Sequence, residues 1–188
     1  MTFVYILIGL LAVVILYAIV IYNGLVRLRV RVNGAWSDIE VQMKRRYNLV
    51  PNLVETVKGY ANHEAGTLEK LTQARVAALS NEGTPGAQAQ TENLLAGALK
   101  SVFAVAEDYP DLRANENFLS LQNDLAEVED KIQAARRYYN GSVREMNTRV
   151  DQFPSNFIAQ KFQFTKAEFF ELDAGDSAAR QPVAVNFD

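Results

Sequence analysis

Uncharged residues run without interruption from Met1 to Val26, and the first charged side chain is Arg27. Within that run, Thr2 to Tyr22 is rich in Ile, Leu, Val, Phe and Tyr, with one small break at Gly9. A helix needs ~20 apolar residues to cross the hydrocarbon core of a bilayer. The pattern therefore predicts a transmembrane helix, with residues 1–26 as an N-terminal anchor. Tyr5 and Tyr22 stand near its two ends, where interfacial aromatics are favoured. A cleaved signal peptide would carry a basic residue ahead of the run and a small-residue cleavage site behind it. Neither is present, since Asn23-Gly24-Leu25-Val26 follows.

Beyond the anchor the period changes. Leu28, Val32, Ala35, Ile39, Met43, Arg46, Val50, Val54, Val57 and Ala61 step by three or four, as do Leu68, Leu71, Arg75 and Ala78. This spacing places one stripe on a helix face. Pro51 lacks an amide hydrogen, but the stripe keeps its phase across it, which predicts a kink rather than a stop. Asn81 to Gly86 is dense in turn residues and reads as a loop. A second helix is expected over 91–108, capped by Thr91, with Leu94, Leu95, Ala98, Val102 and Val105 inward. A third opens near Asn115 with a heptad seam of Phe118, Leu121, Leu125, Val128, Ile132, Ala135 and Tyr139. Two steps of four at Tyr139 and Val143 form a stutter before Met146, Val150 and Phe153 resume the seam. Pro154 breaks this helix, and a fourth is expected over 157–172. The predicted fold class is all-α: a transmembrane helix, then a long antiparallel helical bundle of four-helix type over 27–173. A tail follows over 174–188, in which Val183, Val185 and Phe187 alternate weakly like a strand.

Charge adds an orientation. Residues 23–60 hold seven Lys/Arg and three Asp/Glu, a balance of +4, whereas 61–188 balance at −7. Arg27, Arg29, Arg31, Lys44, Arg45 and Arg46 form a basic, membrane-proximal group. Basic flanks stay in the cytoplasm, which predicts the N-terminus outside and the C-terminal domain inside. Each such cation close to anionic lipid is worth ~1 kcal/mol, so the lipid bilayer is an expected partner. The net charge of −3 argues against a nucleic-acid partner.

Candidate chemistry is sparse. There is no Cys, and His63 is the only His. His63-Glu64 lacks the second His of a zinc-protease motif, since position 67 is Thr67. No phosphate-binding loop or nucleophile elbow occurs, and no catalytic residue, metal or cofactor is expected. An enzymatic reading would rest on Asp38, Arg45, Asn52, Glu55 and His63 as buried polar groups, whose structural role would be to hold helix register. Phe157, Phe162, Phe164, Phe169 and Phe170, with Val183, Val185 and Phe187, form the candidate partner-facing or membrane-facing set. Core packing is the plain alternative for these Phe residues.

Several stretches together resemble the LemA family: Tyr22-Asn23-Gly24-Leu25-Val26, Ala35-Trp36-Ser37-Asp38-Ile39, Lys44 through Glu55, Val57 through Glu64, Tyr109-Pro110-Asp111-Leu112, Asn117-Phe118-Leu119, Ala135 through Asn140, Phe153-Pro154-Ser155-Asn156 and Pro182 through Phe187. Tyr47 stands where an acidic residue is common in that family. The resemblance implies a single-pass bacterial inner-membrane protein with a long antiparallel helical bundle and no established enzymatic activity. Some relatives are associated with magnetosome membranes, which implies a membrane-organising role. The expected function is a membrane-anchored scaffold that forms a homo-oligomer. The alternative is an adaptor of another envelope membrane protein, such as a protease or signalling component.

Overall fold

The computed structural model describes residues 1–171. Among them every regular element is helical: α1 (Thr2–Lys58), a 3-10 turn (Asn62–Glu64), α2 (Ala65–Leu79), α3 (Pro85–Ala106), α4 (Pro110–Arg113), α5 (Glu116–Asp151) and α6 (Ser155–Lys161). The all-α class is as expected. The tail residues Val183, Val185 and Phe187, and the helix end expected at Leu172, lie outside the described residues.

Two compact units result. The first comprises residues 1–41 and 132–169. The second comprises 42–131 and, of the described residues, Phe170 and Glu171. Both α1 and α5 contribute to each. In the first unit they run antiparallel: Arg31 pairs with Glu145 at 2.7 Å, and the Trp36 ring meets that of Tyr139 at 5.4 Å. In the second unit Arg45 faces Glu127 at 3.7 Å and Arg46 meets Glu129 at 2.8 Å, again in antiparallel order. The stripes read from the sequence form the interior. Leu28, Val32, Ala35, Ile39, Met43, Val50 and Val57 are buried on α1, and Phe118, Leu125, Val128, Ile132, Tyr139, Val143 and Met146 on α5. Leu53, not Val54, takes the inward place after Pro51.

Pro51 does not stop α1. Without its N–H, the carbonyl of Tyr47 loses the donor that the helix would supply four residues later. Arg75 on α2 replaces it, donating from Nε to that carbonyl at 2.7 Å. The helix ends instead at Lys58, before Gly59, the poorest helix former after proline. The chain turns through Tyr60 and Ala61, and the stripe resumes on α2 with Leu68, Leu71 and Ala78 buried.

Helix α3 begins earlier than expected. Thr84 caps it, accepting from the Ala87 N–H at 3.4 Å, with Pro85 in the first turn, the pairing that favours a helix start. Thr91, expected as the cap, lies inside the helix. The inward face shifts accordingly. Leu94 is exposed, and Gln88, Glu92, Leu95, Leu99, Val102 and Ala106 form the buried row. The start of α5 is as expected, with Asn115 accepting from the Phe118 N–H at 3.0 Å.

The fourth helix is much shorter than expected. It stops at Lys161 because Gln163 adopts a left-handed conformation with φ of 56°. Phe164 N–H then reaches the Ala159 carbonyl at 2.9 Å and Gln163 N–H the Gln160 carbonyl at 3.3 Å, a Schellman closure. Beyond it the chain forms a non-helical strap. Asn147 holds the strap reciprocally, accepting from Ala167 N–H at 2.8 Å and donating to its carbonyl at 3.0 Å. The Tyr139 hydroxyl donates to the Glu168 carbonyl at 2.8 Å.

Candidate functional site

In the first unit, α1 carries the apolar run directly into charged territory with no break at Asn23-Gly24. No part of the most apolar window, of mean hydropathy 3.1, is buried. The helix is long and apolar enough to cross a membrane. Tyr22, at the end of the run, packs edge-on against Phe162 at 4.8 Å and Phe164 at 5.7 Å. Arg29 lies over the Phe164 ring at 4.0 Å, a cation–π contact. The end of α6 and the strap thus bring Phe162 and Phe164 to the level where the apolar run ends.

The candidate aromatic set divides here. Phe164 and Phe170 are buried, and their roles are in packing. Phe157, Phe162 and Phe169 are exposed, and so is Phe153, which the sequence placed on the seam. Phe153 and Phe157 pack edge to face at 5.9 Å with both rings exposed.

The basic group divides as well. Arg27, Arg29 and Arg31 follow the apolar run within about three helical turns of Tyr22. Lys44 and Arg45, about six turns along α1, are exposed. Arg46 is a correction: only 2% of it is exposed, so it belongs to the interior and not to a lipid-facing collar. A second correction concerns Asp38, Arg45, Asn52, Glu55 and His63. All five are exposed: Asp38, Arg45, Asn52 and Glu55 fall off the apolar stripe of α1, His63 lies in the 3-10 turn after it, and no buried polar site forms from them.

The buried polar site lies elsewhere, in the second unit. Arg46 is paired with Glu92 of α3, which is 1% exposed. Its other terminal nitrogen meets Glu129 of α5 at 2.8 Å. The Tyr47 hydroxyl donates to Glu92. Gln88 donates to Glu92 at 2.9 Å and to the Ala78 carbonyl at 3.1 Å. A charge in a packed interior persists only when paired and hydrogen-bonded, and this network supplies both. Glu92 and Gln88 were missed at the level of sequence. Their signal was an α3 row of 88, 92, 95, 99, 102 and 106, together with an arginine on the α1 stripe that requires a buried acid. Two clefts lie away from this cluster, one beside Tyr60 and Asn115 and another between Arg29 and Lys166. The cluster's chemistry is that of a structural lock. Among the described residues no three metal-ligating side chains converge.

Burial, reinforced by the bond to Glu92, holds the Tyr47 phenol well above its ordinary value. In the first unit, burial and then the charge of Glu168 push Tyr139 up to about 12. An unfolded chain releases such protons near pH 10, while the folded chain keeps them. Stability contributed by these groups is therefore full below about pH 10 and falls as the pH rises toward the folded values. Each tyrosine steepens the fall by up to about 1.4 kcal/mol per pH unit. Tyr139→Phe should make the alkaline fall shallower in thermal melts followed from about pH 8 to about pH 11. An unchanged slope would show that Tyr139 titrates freely in the fold.

The LemA family model matches residues 35–187. Protein LemA of Metamycoplasma hominis is 31% identical over 153 residues, covering 79% of this chain and 68% of that protein. Magnetosome protein MamQ 2 of Paramagnetospirillum magneticum is 26% identical over 187 residues, covering 86% of this chain and 69% of that protein. Magnetosome protein MamQ of Magnetospirillum gryphiswaldense is similar to the same extent, at 26% identity.

Proposed function

Because the chain belongs to the LemA family, we propose that this membrane-associated protein is a non-enzymatic helical scaffold that self-associates and organises or shapes the bacterial inner membrane. One observation carries the reading: within the first unit α1 runs as continuous helix from the apolar run into the charged face that packs on α5. A helical connection transmits orientation where a flexible linker would lose it. Copies that associate through their bundles would thereby set the tilt of their anchors in the bilayer. The relatives named as magnetosome proteins support this direction, and none of the relatives' names is enzymatic.

The test is electron microscopy of the full-length protein in lipid discs. Regular rings or arcs are expected. Uniform monomer-sized particles at high concentration would remove the scaffold reading and favour an adaptor of another envelope protein. The arginines after the apolar run favour a cytoplasmic bundle, since basic flanks tend to stay on that side. A cysteine at exposed Glu82 should resist a membrane-impermeant maleimide in intact cells while one at Thr2 reacts. The opposite labelling pattern would reverse the topology.

A further inference from the structure

A cavity of about 410 Å³ opens in the first unit where α1 leaves its apolar run, within the ~300–1,000 Å³ range of small-molecule sites. Its two ends differ in chemistry. Val20, Ile21 and Leu25 line one, and Arg27 and Arg149 with the Arg31–Glu145 pair line the other. Three arginines and one glutamate leave a balance of +2. Arg31 is neutralised by Glu145, whereas Arg27 and Arg149 make no ion pair with any described residue. Arg27 lies five residues beyond Tyr22, or about 7–8 Å along the helix. The headgroup layer is itself ~5–8 Å thick on each side of the hydrocarbon core. Ser155 of α6 completes the wall, and on either side of it in the chain Phe153 and Phe157 project outward, 74% and 62% exposed. Exposed aromatics at that depth suit the membrane interface.

We infer that this cavity binds one anionic phospholipid, its phosphate between Arg27 and Arg149 and the start of its acyl chain along Val20 and Ile21. The occupant follows from the juxtaposition: a soluble phosphate would leave the apolar wall unused, and a zwitterionic lipid would leave the positive balance unmatched. The inference rests on the membrane anchoring of α1 in the reading above, and it does not require self-association.

Native mass spectrometry of the full-length protein released from discs of mixed phosphatidylglycerol and phosphatidylcholine reads the retained lipid per protomer. The wild-type protein should favour phosphatidylglycerol about 30-fold, from two unmatched charges. Arg27→Gln/Arg149→Gln should bring the ratio close to one. Gly24→Leu provides an independent route. Gly24 lines the cavity and a side chain there meets nothing within 4 Å, so leucine fills the space without altering charge, and it should abolish the preference with helicity unchanged. Arg45→Gln, outside the cavity, should behave as wild type. A wild-type ratio near one overturns the site. So does an unaffected double variant, an unaffected Gly24→Leu, or an equal loss in Arg45→Gln, which would mark generic surface charge. Inorganic phosphate that displaces short-chain phosphatidylglycerol at equal concentration would overturn the lipid assignment. Lipid-selective monomers would sink the scaffold alone, and unselective rings would sink only this site.

Discussion

Glu92→Ala is expected to destabilise the protein by about 3–5 kcal/mol. The substitution removes the buried partner of Arg46, a residue that is only 2% exposed, and leaves its charge buried. Glu129 still reaches it at 2.8 Å, but that carboxylate is partly in water, with 42% of its side chain exposed. Tyr47 and Gln88 lose their common acceptor at the same time. The pair as a whole is a different matter. Replacing buried ion pairs with apolar residues of similar volume is often neutral or stabilising. Arg46→Met/Glu92→Leu should therefore recover most of the loss, and a double-mutant cycle from thermal melts in mild detergent should show strong coupling. A cost below about 1 kcal/mol for Glu92→Ala would mean that Arg46 escapes to solvent, and the lock would lose its basis.

The second large effect concerns a backbone carbonyl. Arg75→Ala should cost about 1.5–3 kcal/mol, the usual range for a hydrogen bond from a charged group. The loss is specific because Pro51 gives the Tyr47 carbonyl no helical donor, and Arg75 supplies the replacement at 2.7 Å. Pro51→Ala restores the missing N–H. In that background the cost of Arg75→Ala should fall by at least half. Equal costs in both backgrounds would show that Arg75 acts through packing of its stem, and the account of how α1 passes Pro51 would fail.

Much of the fold was legible because it rests on long periodic signals. The apolar run before Arg27, the stripe from Leu28 to Val57 and the seam from Phe118 to Met146 are each set by burial of one helix face, and one face has one period. Even Arg46 was placed correctly on the stripe, although its charge suggested a lipid-facing role. The misses have local causes. Thr84-Pro85 sits among turn residues and reads as loop, although it is a helix start. The left-handed turn at Gln163 carries no glycine to announce it, so the sequence reads as helix past Lys161. Asp38, Asn52 and Glu55 have helical spacing but lie outside the stripe, and spacing without a face does not bury a side chain.

What the sequence alone determined is the long apolar N-terminal helix, the helical class and the inward stripes of α1 and α5, since these follow from hydrophobicity and its period along one chain segment. Tertiary structure decided the partners: that Glu92 neutralises Arg46, that Arg75 serves the carbonyl facing Pro51, and that Arg27 and Arg149 line one cavity beside the end of the apolar run. Those pairs join residues 28 to 122 positions apart. Hydrogen bonds and ion pairs act over a few ångströms in space, so the sequence lists the groups while only the packing of helices selects which of them meet.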